Sequence, residues 1–331
     1  MESKSNKIIL GIVIAIILIG GIIYFTNKSS TPEKITIAEF GEVFIYAPLY
    51  VADEKGFFEE EGLDVEIFPA GGLDKTWAAV VSGSAQFGVA DPMITAISGE
   101  KGQPGVVVAG ILNGLPFWGI AKDPSIPVIT NPSQLDGYVI GTHPAPSTGY
   151  TMQKKLFQLG GIEGEIRELA AGTCLAALEA GDVDICLELE PTVSTAVEKN
   201  GAHVVYALSD YYSEFALTGV FALPEYVENN KDTTQQFVNA LQKSSLYIRE
   251  NPEETVNILV NRFPNVERGI AEDAVARLIA DDVFKDNVIV PKDGWDVAGE
   301  IRFSLGQLAS PPEYDDYVLT EFAEDALRNV R

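Results

Sequence analysis

The chain has 331 residues, enough for about two domains at roughly 150 residues each, and its 46% hydrophobic and 21% charged residues match globular usage, not disordered or fibrous protein. A formal net charge of −25, from 48 Asp and Glu against 23 Lys and Arg, disfavours nonspecific binding to nucleic acid or to an anionic membrane surface. A nearly unbroken apolar run at 8–25 follows Lys4 and Lys7. It approaches the about 20 residues that span a bilayer as a helix, and the preceding charge places the N-terminus in the cytoplasm. The run ends in Tyr24, Phe25, Thr26 and Asn27, without the small residues of a cleavage site. Residues 1–27 are therefore predicted to be a retained single-pass membrane anchor, with the body on the extracytoplasmic side.

A Ser, Thr and Pro linker at 28–34 leads to a predicted strand at 35–38, a helix at 48–55, a strand at 63–68, a helix at 75–82, and strands at 87–90 and 106–111. This alternation predicts an α/β lobe over 35–121, a mainly parallel sheet flanked by helices. Pro124, Pro127 and Pro132 punctuate a polar stretch where the chain is expected to cross to a second lobe, 122–218. The rhythm restarts there with a strand at 138–141, helices at 149–159 and 175–180, and strands at 183–187 and 203–207. A strand at 220–223 returns to the first lobe, and 219–331 becomes largely helical. Two crossings between rigid lobes make a hinge that can close over a ligand. Cys174 and Cys186 both sit in apolar patterns and read as buried thiols acting as small hydrophobes, although an exterior compartment permits a disulfide.

Four segments carry a family resemblance: YAPLYVADEKGFFEEEGLD at 46–64, VSGSAQFGVAD at 81–91, LEAGDVDICLELEP at 178–191 and FVNALQKSSLYIRENPEE at 237–254. In this order they resemble the solute-binding proteins of ABC importers for nitrate, sulfonates, taurine and thiamine-pyrimidine precursors. The resemblance implies the two-lobed periplasmic-binding-protein type II fold. It also implies a non-enzymatic role without cofactor: holding a small molecule between the lobes and delivering it to permease and ATPase subunits in the membrane.

In open α/β sheets the ligand lies beyond the carboxyl ends of the strands, so strand-end loops supply the candidate site. Ser147, Thr148 and Gly149 stand where the second lobe's first helix should begin. Its free N–H groups and dipole favour a phosphate, sulfonate or carboxylate, against the alternative of simple N-capping. Trp118 offers a stacking face or core packing, Phe117 reads as core, and Phe44 and Tyr46 raise the same choice, Tyr46 with a hydroxyl suited to a cleft rim. Glu190, before Pro191, is placed facing the cleft by the resemblance and could accept from a ligand amine, while Glu188 reads as solvated. Glu39 and Asp91 hold similar strand-end positions, Asp91 also as a turn former before Pro92.

Lys75 is the only basic side chain in these loops, which leans the reading away from an arginine clamp and towards an amine or aromatic ligand such as an aminopyrimidine or a zwitterionic sulfonate. The rival classes are a thiamine-pyrimidine synthase-like enzyme and a membrane-tethered sensory domain. The enzyme requires a cysteine-rich motif and histidines, whereas this chain has two Cys and two His, His143 and His203, without metal-ligand spacing. The sensor lacks an output domain.

Overall fold

The apolar runs of the sequence assemble into two sheets, one per lobe, in the computed structural model, which describes residues 32–330 except Ser213. The first sheet has the order β2-β1-β3-β10-β4. Its strands are β1 (Glu33–Glu39), β2 (Leu63–Pro69), β3 (Phe87–Ala90), β4 (Val106–Asn113) and β10 (Ala216–Ala222). The second has the order β7-β6-β8-β5-β9. It is built from β5 (Trp118–Ala121), β6 (Val139–Thr142), β7 (Glu165–Glu168), β8 (Ile185–Glu188) and β9 (His203–Ala207).

Both sheets are mixed. β1 runs parallel to β3, while β10 lies antiparallel between β3 and β4. β6 runs parallel to β7 and β8, while β5 lies antiparallel between β8 and β9. The antiparallel strand of each sheet is the one the chain enters immediately after changing lobes. The crossings therefore fall between Asn113 and Trp118 and between Ala207 and Ala216, not at the proline-rich stretch. Trp118–Ala121 belongs to the second lobe, which corrects the expected boundary after residue 121. The four residues are buried without alternation, so polarity gives no boundary there.

The helices that matter below are α1 (Ala47–Glu54), α2 (Leu73–Val81), α3 (Thr148–Gly160), α4 (Cys174–Ala180), α5 (Thr192–Asn200), α6 (Lys231–Glu250), α7 (Pro252–Arg262), α8 (Arg268–Ala280), α9 (Lys292–Ser304) and α10 (Thr320–Asn329). α6 packs against α1 and α10 on the first lobe, α8 packs against α5 of the second, and α9 touches both β10 and α3. The C-terminal helices thus span the two lobes. The stacked rings of Phe87, Phe237 and Phe58 fix α6 to the first sheet, with centroids 4.5 and 5.1 Å apart.

Cys174, at the start of α4, and Cys186, on β8, are joined in a disulfide rather than standing as free thiols. Both are buried in the second lobe. Among the described residues no helix is long and apolar enough to cross a membrane. The expected anchor at 8–25 lies outside the described residues.

Candidate functional site

The carboxyl ends of β1, β3, β6 and β8 converge between the lobes on a cavity with about 400 Å³ of empty space, open solvent included. The first lobe contributes Phe40, Tyr46, Leu73, Asp91, Leu217 and Thr218. Facing them stand Phe117, His143, Ser147, Thr148, Gly149 and Leu189 of the second lobe. Among the described residues no Lys or Arg lines it. An outer groove continues past Phe40, Leu73 and His143 to Asp74, Lys75, Ala170 and Ala171. The rings of Phe40 and His143 meet edge to face, 5.5 Å apart, one from each lobe, where the two spaces join.

α3 starts at the cavity wall because Ser147 caps it. The Ser147 Oγ accepts from the N–H of Tyr150 at 3.3 Å and donates to the carbonyl of His143 at 3.1 Å. The Thr151 N–H bonds the Ser147 carbonyl. The N–H groups of Thr148 and Gly149 precede these bonds, and the first N–H groups of a helix have no partner inside it. Gly149 is needed for closeness: a Cβ there would lie 2.6 Å from Thr142 Oγ1 and 3.5 Å from the ring of Phe117. Gly149→Ala should therefore displace the start of α3 or rotate Thr142 and narrow the cavity. We expect at least a tenfold loss of ligand affinity with about 1–2 kcal/mol of destabilisation, read by calorimetry beside a melting curve. Unchanged affinity would mean that the first turn of α3 is not a ligand wall.

Thr148 lines the cavity, but its hydroxyl donates to Asp91 of the other lobe. Asp91 takes the turn-forming role as well, accepting the Met93 N–H at 2.9 Å through its other oxygen. Burial, and then the carboxylates of Glu39 and Asp91, hold the phenol of Tyr46 well above its ordinary value, so this wall offers a hydroxyl that stays protonated.

Four candidates lie away from the cavity. Phe44 is core, its ring 4.8 Å from that of Phe263. Trp118 is buried in β5 beneath the guanidinium of Arg277, 5.5 Å from the ring. Glu190 is fully buried, accepts from the Ser194 N–H at 3.0 Å and the Ser194 hydroxyl at 2.9 Å, and is ion-paired with the Arg277 Nε 2.9 Å away. Glu39 is fully buried too, accepting the Tyr50 hydroxyl at 2.8 Å with Arg262 4.0 Å away. Glu188, expected in solvent, is buried, and burial raises its pKa. Phe117, read as core, is buried in the core and also walls the cavity, while Phe40 and Thr218 fall in strand-end loops without having been singled out.

The largest omission is arginine. Arg302 on α9 is fully buried and pairs with Asp91 at 2.5 Å. Arg262 on α7 and Arg277 on α8 approach Glu39 and Glu190. Glu39, Asp91 and Glu190 thus each face an arginine from the C-terminal helices.

The chain is similar to YtlA of Bacillus subtilis strain 168, 23% identical over 90% of this chain and 91% of that one. It is also similar to the formylaminopyrimidine-binding protein of Halalkalibacterium halodurans, 26% identical over 83% and 86%. Among solved structures it shares its fold with the ligand-binding component of an ABC-type import system from Staphylococcus aureus, with TM-score 0.74, 17% identity, and coverage of 89% and 99%. The alkanesulfonate-binding protein SsuA of Xanthomonas axonopodis pv. citri has the same fold, with TM-score 0.71, 14% identity, and coverage of 88% and 99%. The family model described as NMT1/THI5 like matches residues 44–255. On that match, which takes in both lobes and the start of the C-terminal helices, the chain belongs to the NMT1/THI5-like family.

Proposed function

We propose that this protein is the extracytoplasmic substrate-binding component of an ABC importer, and that it captures a small planar organic solute of the pyrimidine type between its lobes. The observation that carries the reading is the interlobe cavity, walled by aromatic side chains and by the start of α3 and free of lysine and arginine among the described residues. A fully ionised sulfonate or nitrate buried there would lie near the Asp91 carboxylate without a cation of its own, a costly arrangement. A flat ring suits the Phe117, Phe40 and His143 faces. Its acceptor atoms can take the N–H groups of Thr148 and Gly149, and the Thr148 oxygen, its hydrogen already given to Asp91, can accept from a ligand N–H.

The name of the Halalkalibacterium relative supports the pyrimidine class, and the import-system structure from Staphylococcus supports the transport role. A synthase-like enzyme finds less support, because the cavity wall holds one imidazole and no cysteine. The test is a thermal-shift and calorimetric screen with formylaminopyrimidine, a short alkanesulfonate, taurine and nitrate. Binding of the pyrimidine alone is expected. Tight binding of an alkanesulfonate or nitrate would overturn the ligand class, and turnover of any of them would overturn the assignment as a binding protein.

The apolar run at 8–25 would tether the body to the membrane, with its permease and ATPase partners beneath. A truncation beginning at residue 31 is expected to fold and to move from the membrane to the soluble fraction, since the body carries its own cores. Continued sedimentation with membranes would place the attachment elsewhere.

A further inference from the structure

We propose that Arg302 is a latch that holds the lobes together before ligand arrives, a positioning residue set behind the cavity wall. The inference rests on the capture reading only in taking the two lobes as movable about their crossings. α9 is seated on the first lobe, where a Cβ at Gly294 would lie 3.0 Å from the Ala216 nitrogen of β10. From there the Arg302 side chain, with no solvent exposure, reaches across. One terminal nitrogen, Nη2, pairs with Asp91 of the first lobe at 2.5 Å. The other, Nη1, donates to the Pro146 carbonyl and to Thr151 Oγ1 of the second lobe, both at 3.1 Å, and to Gln307 Oε1 at 2.7 Å. Thr151 closes the ring by donating to Gln307 at 3.1 Å, and Thr148 adds its hydroxyl to Asp91.

Thr148 and Thr151 lie in the first turn of α3, which walls the cavity, and Pro146 directly precedes its cap. Asp91 therefore aims a guanidinium at the very segment that must arrive for the cleft to close. Opening has to break the bonds to Pro146, Thr148 and Thr151 while the Asp91–Arg302 pair stays with the first lobe. The closed state consequently gains protein-to-protein hydrogen bonds that need no ligand, which lowers the conformational cost that a ligand must meet. A lysine cannot replace this set, because one ammonium on a flexible stem lacks the fork that serves two lobes at once.

The experiment uses the full chain in detergent without ligand. Cysteines introduced by Asp74→Cys and Ala171→Cys, exposed on facing walls of the outer groove, carry nitroxide labels, and the native cysteines are already bonded to each other. Pulsed electron paramagnetic resonance reads the distance across the mouth. The parent chain should show a dominant short-distance population, and Arg302→Lys should lose most of it to longer distances while retaining a cooperative melting transition. Should Arg302→Lys fail to fold, the paired variant Arg302→Met with Asp91→Asn, which strands no charge, is expected to show the same loss. A short-distance population unchanged by either variant, or a parent chain already open, would overturn the latch. Since no ligand is added, either result stands apart from the identity of the solute.

Discussion

Arg302→Met alone should lower the unfolding free energy by about 3–5 kcal/mol, and adding Asp91→Asn should recover more than half of that loss. The pair is sealed from solvent, with Arg302 at 0% and the Asp91 side chain at 6% exposure. Taking two charges out of water is expensive, so the pair by itself contributes little net stability. Removing one partner instead leaves the other charge buried and uncompensated, and methionine fills the volume without answering it. Asp91 would keep only the Thr148 hydroxyl and the Met93 N–H. The paired variant removes both charges, and the amide oxygen of asparagine still accepts from Met93. Denaturant unfolding of the single and double variants gives the coupling directly. Equal stability of the two would show that the loss comes from packing around α9, since restoring neutrality would then change nothing.

This pair also marks where the sequence stops being legible. The strands on either side of the cleft announce themselves as short apolar runs, and the ends of β1, β3 and β6 lead directly to Tyr46, Asp91 and the start of α3. Local pattern suffices there because strand, turn and helix start are neighbours in the chain. Asp91 and Arg302 are separated by 211 positions, and an arginine in a helix ordinarily reads as a solvated face. One signal was present: Arg302 follows Trp295 and Ala298 at helical spacing, and both of these are buried, so the arginine had to share the inward stripe. The half-exposed strand β7, Glu165–Glu168, offers no apolar alternation, and the polar helix α5 shows its few apolar residues only once α8 covers them. Glu39 and Glu190 sit at the right ends of their strands for the site, but their side chains turn into the body where Arg262 and Arg277 wait. Strand position selects a neighbourhood, and tertiary packing decides which way each side chain faces.

Between about pH 4.5 and pH 7, Glu39→Gln should become progressively more stable relative to the parent chain, by about 3 kcal/mol across the window. Glu39 ends β1 with no solvent exposure, and burial pushes its carboxyl from 4.5 up to about 7, against the pull of the Tyr50 hydroxyl and of Arg262. The folded chain therefore binds this proton more tightly than the unfolded chain does. Its contribution to stability is fully present below about pH 4.5, where both states are protonated, and is lost as pH rises through about 7. Glutamine keeps an acceptor for Tyr50 and cannot ionise, so it lacks this loss. Its weaker attraction for Arg262 is an offset that varies little with pH once the carboxyl is neutral. Other carboxylates titrate identically in both proteins, and the difference between the two unfolding free energies isolates Glu39. Measured by denaturant unfolding at pH 5, 6, 7 and 8, a flat difference would mean that Arg262, 4.0 Å away, already keeps Glu39 charged in the folded state.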